Sequence, residues 1–455
     1  MNNAIFREYD IRGDVEKDLT DDVVRSIGRA FAAYVIDRGK RTVSIARDCR
    51  LSSEHYRDLV VQTLVESGLD VIDIGLVPTG LFYYSLFNLE VEGGIMITGS
   101  HNPPTMNGFK IASGKSTLYG DQIQDIRRII EKGEFKYGEG SCTEYENIVA
   151  DYYAFLRTNI HVSKQFKVVV DAGNGTGGVV GVPIMKEMGQ NVTDLFCDMD
   201  GRFPNHFPDP TVEKNIEVLR RTVLEQKADV GIGYDGDADR IGIIDEKGNI
   251  IWGDYLMIIF ARDILKTNKG ATFVSEVKCS RNLYEDIERN GGKAIMWKAG
   301  HSLIKQKMKE TNALMGGEMS GHIFFADKFF GYDDAIYASL RFLEIMEKDG
   351  RPVSQFLADL PMMYSTPEIR LECPDSVKFD VVRKLTEEYK RKYNVIDTDG
   401  VRVTFDDGWG LVRSSNTQPI LVLRFEAVGE ESLNRIQDMV MTDLRGVMNQ
   451  LGVTC

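Results

Sequence analysis

The chain from Val43 to Ile74 reads VSIARDCRLSSEHYRDLVVQTLVESGLDVIDI, and its patterning decides the fold. Val43 to Ala46 is a short apolar run, which predicts a strand, and Arg47 to Ser53 is a polar loop. Glu54 to Ser67 carries a helical pattern, Gly68 caps it, and Val71 to Ile74 returns as a second strand. The same order of strand, loop, helix, glycine and strand comes back twice. Val168 to Val170 leads through DAGNGTGG into a helix ending at Lys186 to Met188, then Gly189 and the strand Val192 to Phe196. Thr272 to Ser275 leads through EVKCS into a helix from Leu283 to Arg289, then Gly291, Gly292 and the strand Ala294 to Trp297. Three such units, roughly a hundred residues apart, predict three related α/β domains with mixed sheets.

Working outward, Thr20 to Arg38 shows helical spacing ahead of the first unit. Ile123 to Ile130, Ile216 to Leu224 and Ala335 to Met346 show it at the close of each. Beyond Pro367 the pattern changes. Glu368 to Glu372, Val401 to Phe405 and Pro419 to Glu426 read as strands, Val377 to Tyr393 as a charged helix and Ser432 to Met448 as a final helix, giving a smaller α+β domain. The expected domains are 1–142, 143–250, 251–362 and 363–455.

A length of 455 residues exceeds what one hydrophobic core usually supports. Lys plus Arg number 55 against 69 Asp plus Glu, a net charge of −14, which opposes non-specific binding to nucleic acid or an anionic membrane. An anionic ligand must therefore be held by local cations. The opening MNNAIFREYDIRG has no apolar leader, and no uncharged apolar run approaches a membrane span. The six cysteines (Cys49, Cys142, Cys197, Cys279, Cys373 and Cys455) form no CxxC pair and no zinc pattern, which points to free thiols and a cytoplasmic setting.

Thr98 to Pro104, TGSHNPP, follows the apolar Ile95 to Ile97. Gly99 is expected to supply a sharp turn and Asn102-Pro103 to forbid a helix, so that Ser100 and His101 project from a strand end. A serine presented this way is a candidate nucleophile, although on these residues alone an ordinary polar loop accounts for the stretch more simply. Asp235 to Arg240, DGDADR, lies between the strand-like VGIGY and IGIID and aims three carboxylates at one point, which suits a hard divalent cation. A calcium EF-hand loop fits the spacing of Asp235, Asp237, Asp239 and Glu246. It is opposed by Arg240 where the turn glycine belongs and by strands where helices belong, so Mg²⁺ is the better reading.

Gly316 to His322, GGEMSGH, carries Glu318, Ser320 and His322 at alternating positions, which on an extended segment would point them to one face for sugar hydroxyls. Arg413 to Pro419, RSSNTQP, sets an arginine beside Ser, Asn and Thr donors and can cradle a phosphate without a Walker lysine. Taken singly, a glycine-rich loop explains the first stretch equally well, and an ordinary hairpin loop explains the second better. Phe6 to Gly13, FREYDIRG, is too short and charged for a core strand, and its Tyr9 and Arg12 read as solvated. Neither a Walker A pattern nor a usable GxGxxG fingerprint is present.

TGSHNPP, DGDADR, GEMSGH and RSSNTQP, in this order and one per expected domain, resemble the α-D-phosphohexomutase superfamily over essentially the whole chain. GEMSGH with RSSNTQP is most similar to the bacterial phosphomannomutase/phosphoglucomutase branch. Phosphoglucosamine mutases typically carry glycine where Asn416 stands, and Gln418 departs from the acidic or Thr residue often found there. The resemblance implies a heart-shaped four-domain enzyme around one central cleft, with Ser100 phosphorylated at rest and Mg²⁺ essential. The metal would be held by Asp235, Asp237, Asp239 and the phosphoserine. Arg240 would contact ligand or phosphate, His101 and Lys110 would assist proton transfer, and Tyr9 and Arg12 would support the phosphoserine region. Lys278, His301, Glu318, Ser320 and His322 would line the sugar site, and Arg413, Ser415, Asn416 and Thr417 would grip the non-reacting phosphate.

The implied activity interconverts hexose 1-phosphate and hexose 6-phosphate, of mannose or glucose, through a hexose 1,6-bisphosphate that also serves as activator. A phosphoglucosamine mutase, a metal-dependent sugar phosphatase and a sugar-phosphate sensor are the alternatives. The implied partners are small sugar phosphates, with the protein acting as a monomer or homodimer.

Overall fold

We describe residues 1–416 and 418–453 of a computed structural model of the chain. Four sheets follow one another along the sequence. The first has the order Ile11–Asp14, Met106–Ser113, Gly93–Ile97, Thr42–Arg47, Asp70–Leu76, Cys142–Glu144, with Ser116–Thr117 beside Met106–Ser113. The second runs Ile250–Ile251, Ile241–Asp245, Val230–Tyr234, Lys167–Asp171, Asn191–Leu195, and the third Lys293–Trp297, Thr272–Glu276, Met315–Gly317, Ile323–Phe325. The fourth is antiparallel around Ile420–Ala427, Gly408–Ser414, Val401–Phe405 and Asn394–Ile396, with Tyr364–Ser365 and Ile369–Glu372 at its other side.

The repeat read from the sequence is a repeat of topology. Thr42–Arg47, Lys167–Asp171 and Thr272–Glu276 each lie between two parallel neighbours, one of which then pairs with an antiparallel fourth strand. Gly93–Ile97 and Val230–Tyr234 are buried along their whole length, as expected of strands covered on both faces by helices. The turn from the third parallel strand to the antiparallel fourth is where the motifs fall. TGSHNPP joins Gly93–Ile97 to Met106–Ser113, DGDADR joins Val230–Tyr234 to Ile241–Asp245, and GEMSGH joins Met315–Gly317 to Ile323–Phe325. RSSNTQP occupies the hairpin between Gly408–Ser414 and Ile420–Ala427.

Two expectations need correction. FREYDIRG does enter a sheet: Ile11–Asp14 pairs with Met106–Ser113 and buries Ile11 completely, while its charged neighbours face the cleft from the sheet edge. The segment after Met315–Gly317 is not extended. Gly321, at φ 89°, lets the Gly321 N–H reach Glu318 O at 3.0 Å while the Glu318 N–H reaches His322 O at 2.9 Å, so a tight turn replaces the alternation.

One continuous apolar core runs through the first three sheets, from Phe82 and Tyr152 through Ile232 to Phe260 and Phe342. The C-terminal domain has a separate core around Leu385, Phe425 and Val440.

Candidate active site

All four motif turns converge on one cleft of about 800 Å³. Against the net negative charge of the chain, its walls carry Arg12, Lys110, Arg240, Lys278, Arg413 and Arg424. The cationic lining demanded of an anion-binding site is therefore present, concentrated where the four domains meet.

Ser100 is almost fully buried and adopts φ 49°. This left-handed conformation is rare for a residue with a side chain and is characteristic of strained functional loops. The sequence assigns the turn to Gly99, but the strained residue is the serine itself. Gly99 is needed for a different reason: a Cβ there would lie 2.5 Å from Arg50 Nε. Arg50 is enclosed behind the loop and donates to the carbonyls of Ser100 (2.6 Å), Asn102 (2.6 Å), Pro103 (2.6 Å) and Met106 (2.8 Å), while Asp48 Oδ2 faces its Nε at 3.2 Å. Sequence reasoning passes over this arginine, because its partners lie fifty residues away and only folding brings them together.

Ser100 Oγ donates to Asp235 Oδ2 at 2.8 Å and lies 3.1 Å from His101 Nδ1. Burial, reinforced by the Arg240 and Arg12 guanidinium groups, pushes His101 well below its ordinary range, so the imidazole is uncharged at neutral pH. Asp235, Asp237 and Asp239 are buried, with one oxygen from each within 4.8 Å of the others. Ala238 between them takes φ 55°. Thr79 Oγ1 donates to Asp237 Oδ2 at 2.6 Å, and Lys110 lies 3.4 Å from the same oxygen and pairs closely with Asp239.

Burial and the two neighbouring carboxylates raise Asp235 well above the usual carboxylate range. Burial alone would raise Asp239 too, but the Lys110 ammonium brings it down to about 2. Lys110 is held well above its ordinary value, since Asp237 and Asp239 outweigh its burial. Asp237 Oδ1 and Asp239 Oδ1 are buried without a hydrogen-bond partner. Two orphaned oxygens in a converging trio fit a hard divalent cation such as Mg²⁺.

Asp239, His322 and Asp333 form a second converging group. Arg240 Nε donates to His322 Nε2 at 2.9 Å, so the imidazole carries its proton on Nδ1, which lies 2.9 Å from Asp333 Oδ2. A protonated Nδ1 cannot ligate a metal, and Nδ1 and Asp333 Oδ2 face each other closely without hydrogen-bond geometry, so this group is a polar wall of the cleft. Lys305 Nζ, 3.0 Å from Asp333 Oδ1, completes it, and His301 stacks on His322 with centroids 5.4 Å apart.

Glu318, Ser320 and His322 all line the cleft, by means of the turn and not of strand alternation. Glu318 Oε1 accepts from Gly300 N–H at 2.7 Å, and Lys278 Nζ sits between Glu368 Oε2 (3.2 Å) and Glu276 Oε2 (3.4 Å). Neither Tyr9 nor Arg12 is solvated. Tyr9 OH donates to Ala299 O at 2.7 Å and accepts from Asn416 Nδ2 at 3.2 Å, and Arg12 pairs with Asp10 at 2.7 Å. Arg413 Nε donates to Asp399 Oδ2 at 2.9 Å, and Ser415 and Asn416 line the cleft beside it. Thr417, expected in the same grip, lies outside the described residues.

A buried serine on a carboxylate trio, under a vault of cations and opposite a second cationic turn, is the layout of a phosphoryl-transfer enzyme. The comparisons with known proteins agree. The sequence matches the phosphoglucomutase/phosphomannomutase alpha/beta/alpha domains I, II and III over residues 3–137, 150–248 and 252–364, and the C-terminal domain over 368–442. A phosphomannomutase/phosphoglucomutase from Pseudomonas aeruginosa is 44% identical over 451 residues, covering 99% of this chain and 97% of the relative. A phosphoglucomutase from Neisseria meningitidis is 44% identical over 439 residues, 95% of each chain. The crystal structure of a phosphoglucomutase/phosphomannomutase family protein from Burkholderia thailandensis superposes with a TM-score of 0.93 at 40% identity over 98% of both chains. The chain belongs to the phosphoglucomutase/phosphomannomutase family.

Proposed function

We propose that the protein is a phosphohexomutase that interconverts the 1- and 6-phosphates of mannose and of glucose, with Ser100 as the phosphate carrier. The observation that carries the reading is Ser100 Oγ, buried and 2.8 Å from Asp235 within the carboxylate trio. In this reading phospho-Ser100 gives its phosphoryl group to the free hydroxyl of a sugar monophosphate: the P–Oγ bond breaks, a P–O bond to the sugar forms, and the hydroxyl proton leaves. We assign to His101, whose Nδ1 lies 3.1 Å from Oγ, the relay of that proton onto Oγ, so that the serine is released as its neutral hydroxyl and the imidazole ends uncharged as it began.

Lys110 acts as a fixed cation beside the transferring group, since its pairing with Asp239 keeps it charged. Asp235, Asp237 and Asp239 would hold Mg²⁺. When bound, Mg²⁺ would neutralise charge developing on the transferring oxygens. Arg413, Ser415 and Asn416 hold the phosphate that does not react, and Glu318 and Ser320 hold sugar hydroxyls. The resulting 1,6-bisphosphate turns over in the cleft and returns its other phosphate to Ser100, so the distal grip must accept either end.

A phosphatase built on the same serine and metal would have no use for that distal grip. The two readings separate on product. With glucose 1-phosphate, Mg²⁺ and a trace of glucose 1,6-bisphosphate, the mutase reading requires glucose 6-phosphate as product and stimulation by the bisphosphate. Stoichiometric release of inorganic phosphate without such stimulation would replace it with hydrolysis.

A further inference from the structure

Behind the distal turn lies a buried cation that no motif marks. Lys378 opens the helix Lys378–Lys390, is 4% exposed and is not among the residues lining the cleft. Its Nζ donates to Ser415 O at 2.6 Å and to Gln418 O at 2.9 Å, and pairs with Asp375 Oδ1 at 2.6 Å. All three ammonium donors are thereby used. The backbone carbonyl of Lys378 also accepts from Ser414 Oγ at 3.1 Å, which ties the helix start to the strand leading into the turn.

The two carbonyls belong to the two ends of the turn that carries Ser415, Asn416 and Gln418 into the cleft. A carbonyl oxygen facing a phosphate would repel it, whereas one drawn back onto an ammonium outside the cleft leaves the cleft side to donors. A methionine would fill much the same space without burying a charge, so what the lysine adds is the hold on these carbonyls.

We propose that Lys378 is the positioning residue of the distal phosphate grip, fixing the turn so that its donors and Arg413 face the phosphate. The inference rests on the reading that this turn holds the non-reacting phosphate. It touches neither substrate nor Ser100, so its effect falls on substrate capture and not on the transfer step.

The test uses the full-length protein and steady-state kinetics with glucose 1-phosphate, for Lys378→Met, Lys378→Gln and Arg413→Ala alongside wild type. With both carbonyl bonds to the turn lost along with the Asp375 pair, Lys378→Met is expected to raise KM about tenfold or more while kcat stays within roughly threefold. Lys378→Gln, whose amide can still satisfy a carbonyl, is expected to fall between Lys378→Met and wild type. If Lys378→Met does not fold, the KM of Lys378→Gln decides alone. A raised KM supports the proposal, and a wild-type KM overturns it. A lower melting temperature with unchanged KM in the folded variants, or a loss confined to kcat, overturns it as well. Should Arg413→Ala raise KM while neither Lys378 variant does, only this inference falls. Should Arg413→Ala leave KM unchanged, the phosphate-grip reading fails and takes the inference with it.

Discussion

Glu276 is fully buried under the turn from Glu318 to His322, where one oxygen accepts from Met319 N–H at 3.0 Å and the other faces Lys278 at 3.4 Å. Burial pushes its carboxyl up to about 7 in spite of the lysine. A carboxyl whose folded value is raised favours the folded state in its protonated form. That stability is fully present below the ordinary carboxylate range and is lost as pH climbs through 7. Glu276→Gln stays neutral throughout and keeps an acceptor for Met319. Its melting temperature relative to wild type should therefore be about 3 °C more favourable at pH 8 than at pH 5. An equal offset at both pH values would mean that the carboxylate is ionised in the fold across that range. The strain at Ser100 belongs to the same scale: a side chain held at φ 49° persists only because its surroundings over-determine it. Arg50 supplies that constraint through four carbonyl bonds.

At the scale of elements, the site is built from one recurring turn. In each of the first three sheets, the connection from a parallel strand to the antiparallel strand beside it carries a motif, and in the fourth a hairpin does so. For the turn that carries Asp235, Asp237 and Asp239 we expect chelation to abolish activity and Mg²⁺ to restore it. Full restoration by Ca²⁺ alone would count against a compact trio of short carboxylates. For the serine turn, Arg50→Lys keeps the charge but loses the planar fork. It should cost about 2 kcal/mol of stability and lower kcat at least about tenfold. A variant with wild-type kcat would deny Arg50 its role in setting the loop.

The motif turns were legible in the sequence because their chemistry is local: three carboxylates at i, i+2 and i+4, or a serine between glycine and Asn-Pro, announce themselves. The β-branched runs and capping glycines likewise announced the repeated unit. Arg50, Glu276, Asp333 and Lys378 were not legible, since each acquires its meaning from partners that only the folded chain supplies. Glu318 to His322 was misread for a related reason: two-residue alternation looks the same whether the backbone runs straight or, through Gly321, turns back.

Over the whole molecule, one core joins the first three domains, the first also having a core of its own around Phe31 and Val60, while the fourth has a separate core and meets the third through a small apolar patch of Val277, Trp409 and Leu411. Arg402 reinforces that seam by donating to the carbonyls of Val277 (2.6 Å) and Cys279 (2.9 Å). On the proposed mutase cycle, the cleft so formed takes a bisphosphate in two opposite orientations. A pocket tight around C2 in one orientation is hard to keep tight in the other, and Glu318 and Ser320 would read hydroxyls common to glucose and mannose. We therefore expect mannose 1-phosphate and glucose 1-phosphate to be used with kcat/KM values within about a hundredfold. A larger gap, or a preference for glucosamine phosphate over both, would reject the dual specificity and leave the mutase chemistry standing.

The central claim is that phosphate passes through Ser100, and it is tested most directly by charging the protein with radiolabelled glucose 1,6-bisphosphate, removing the sugar and chasing with unlabelled mannose 1-phosphate. The label should map to the Ser100 peptide and leave it for a mannose bisphosphate, and Ser100→Ala should take up none and turn over at least about a thousandfold more slowly. Label on any other residue, or Ser100→Ala turning over at the wild-type rate, would contradict the account.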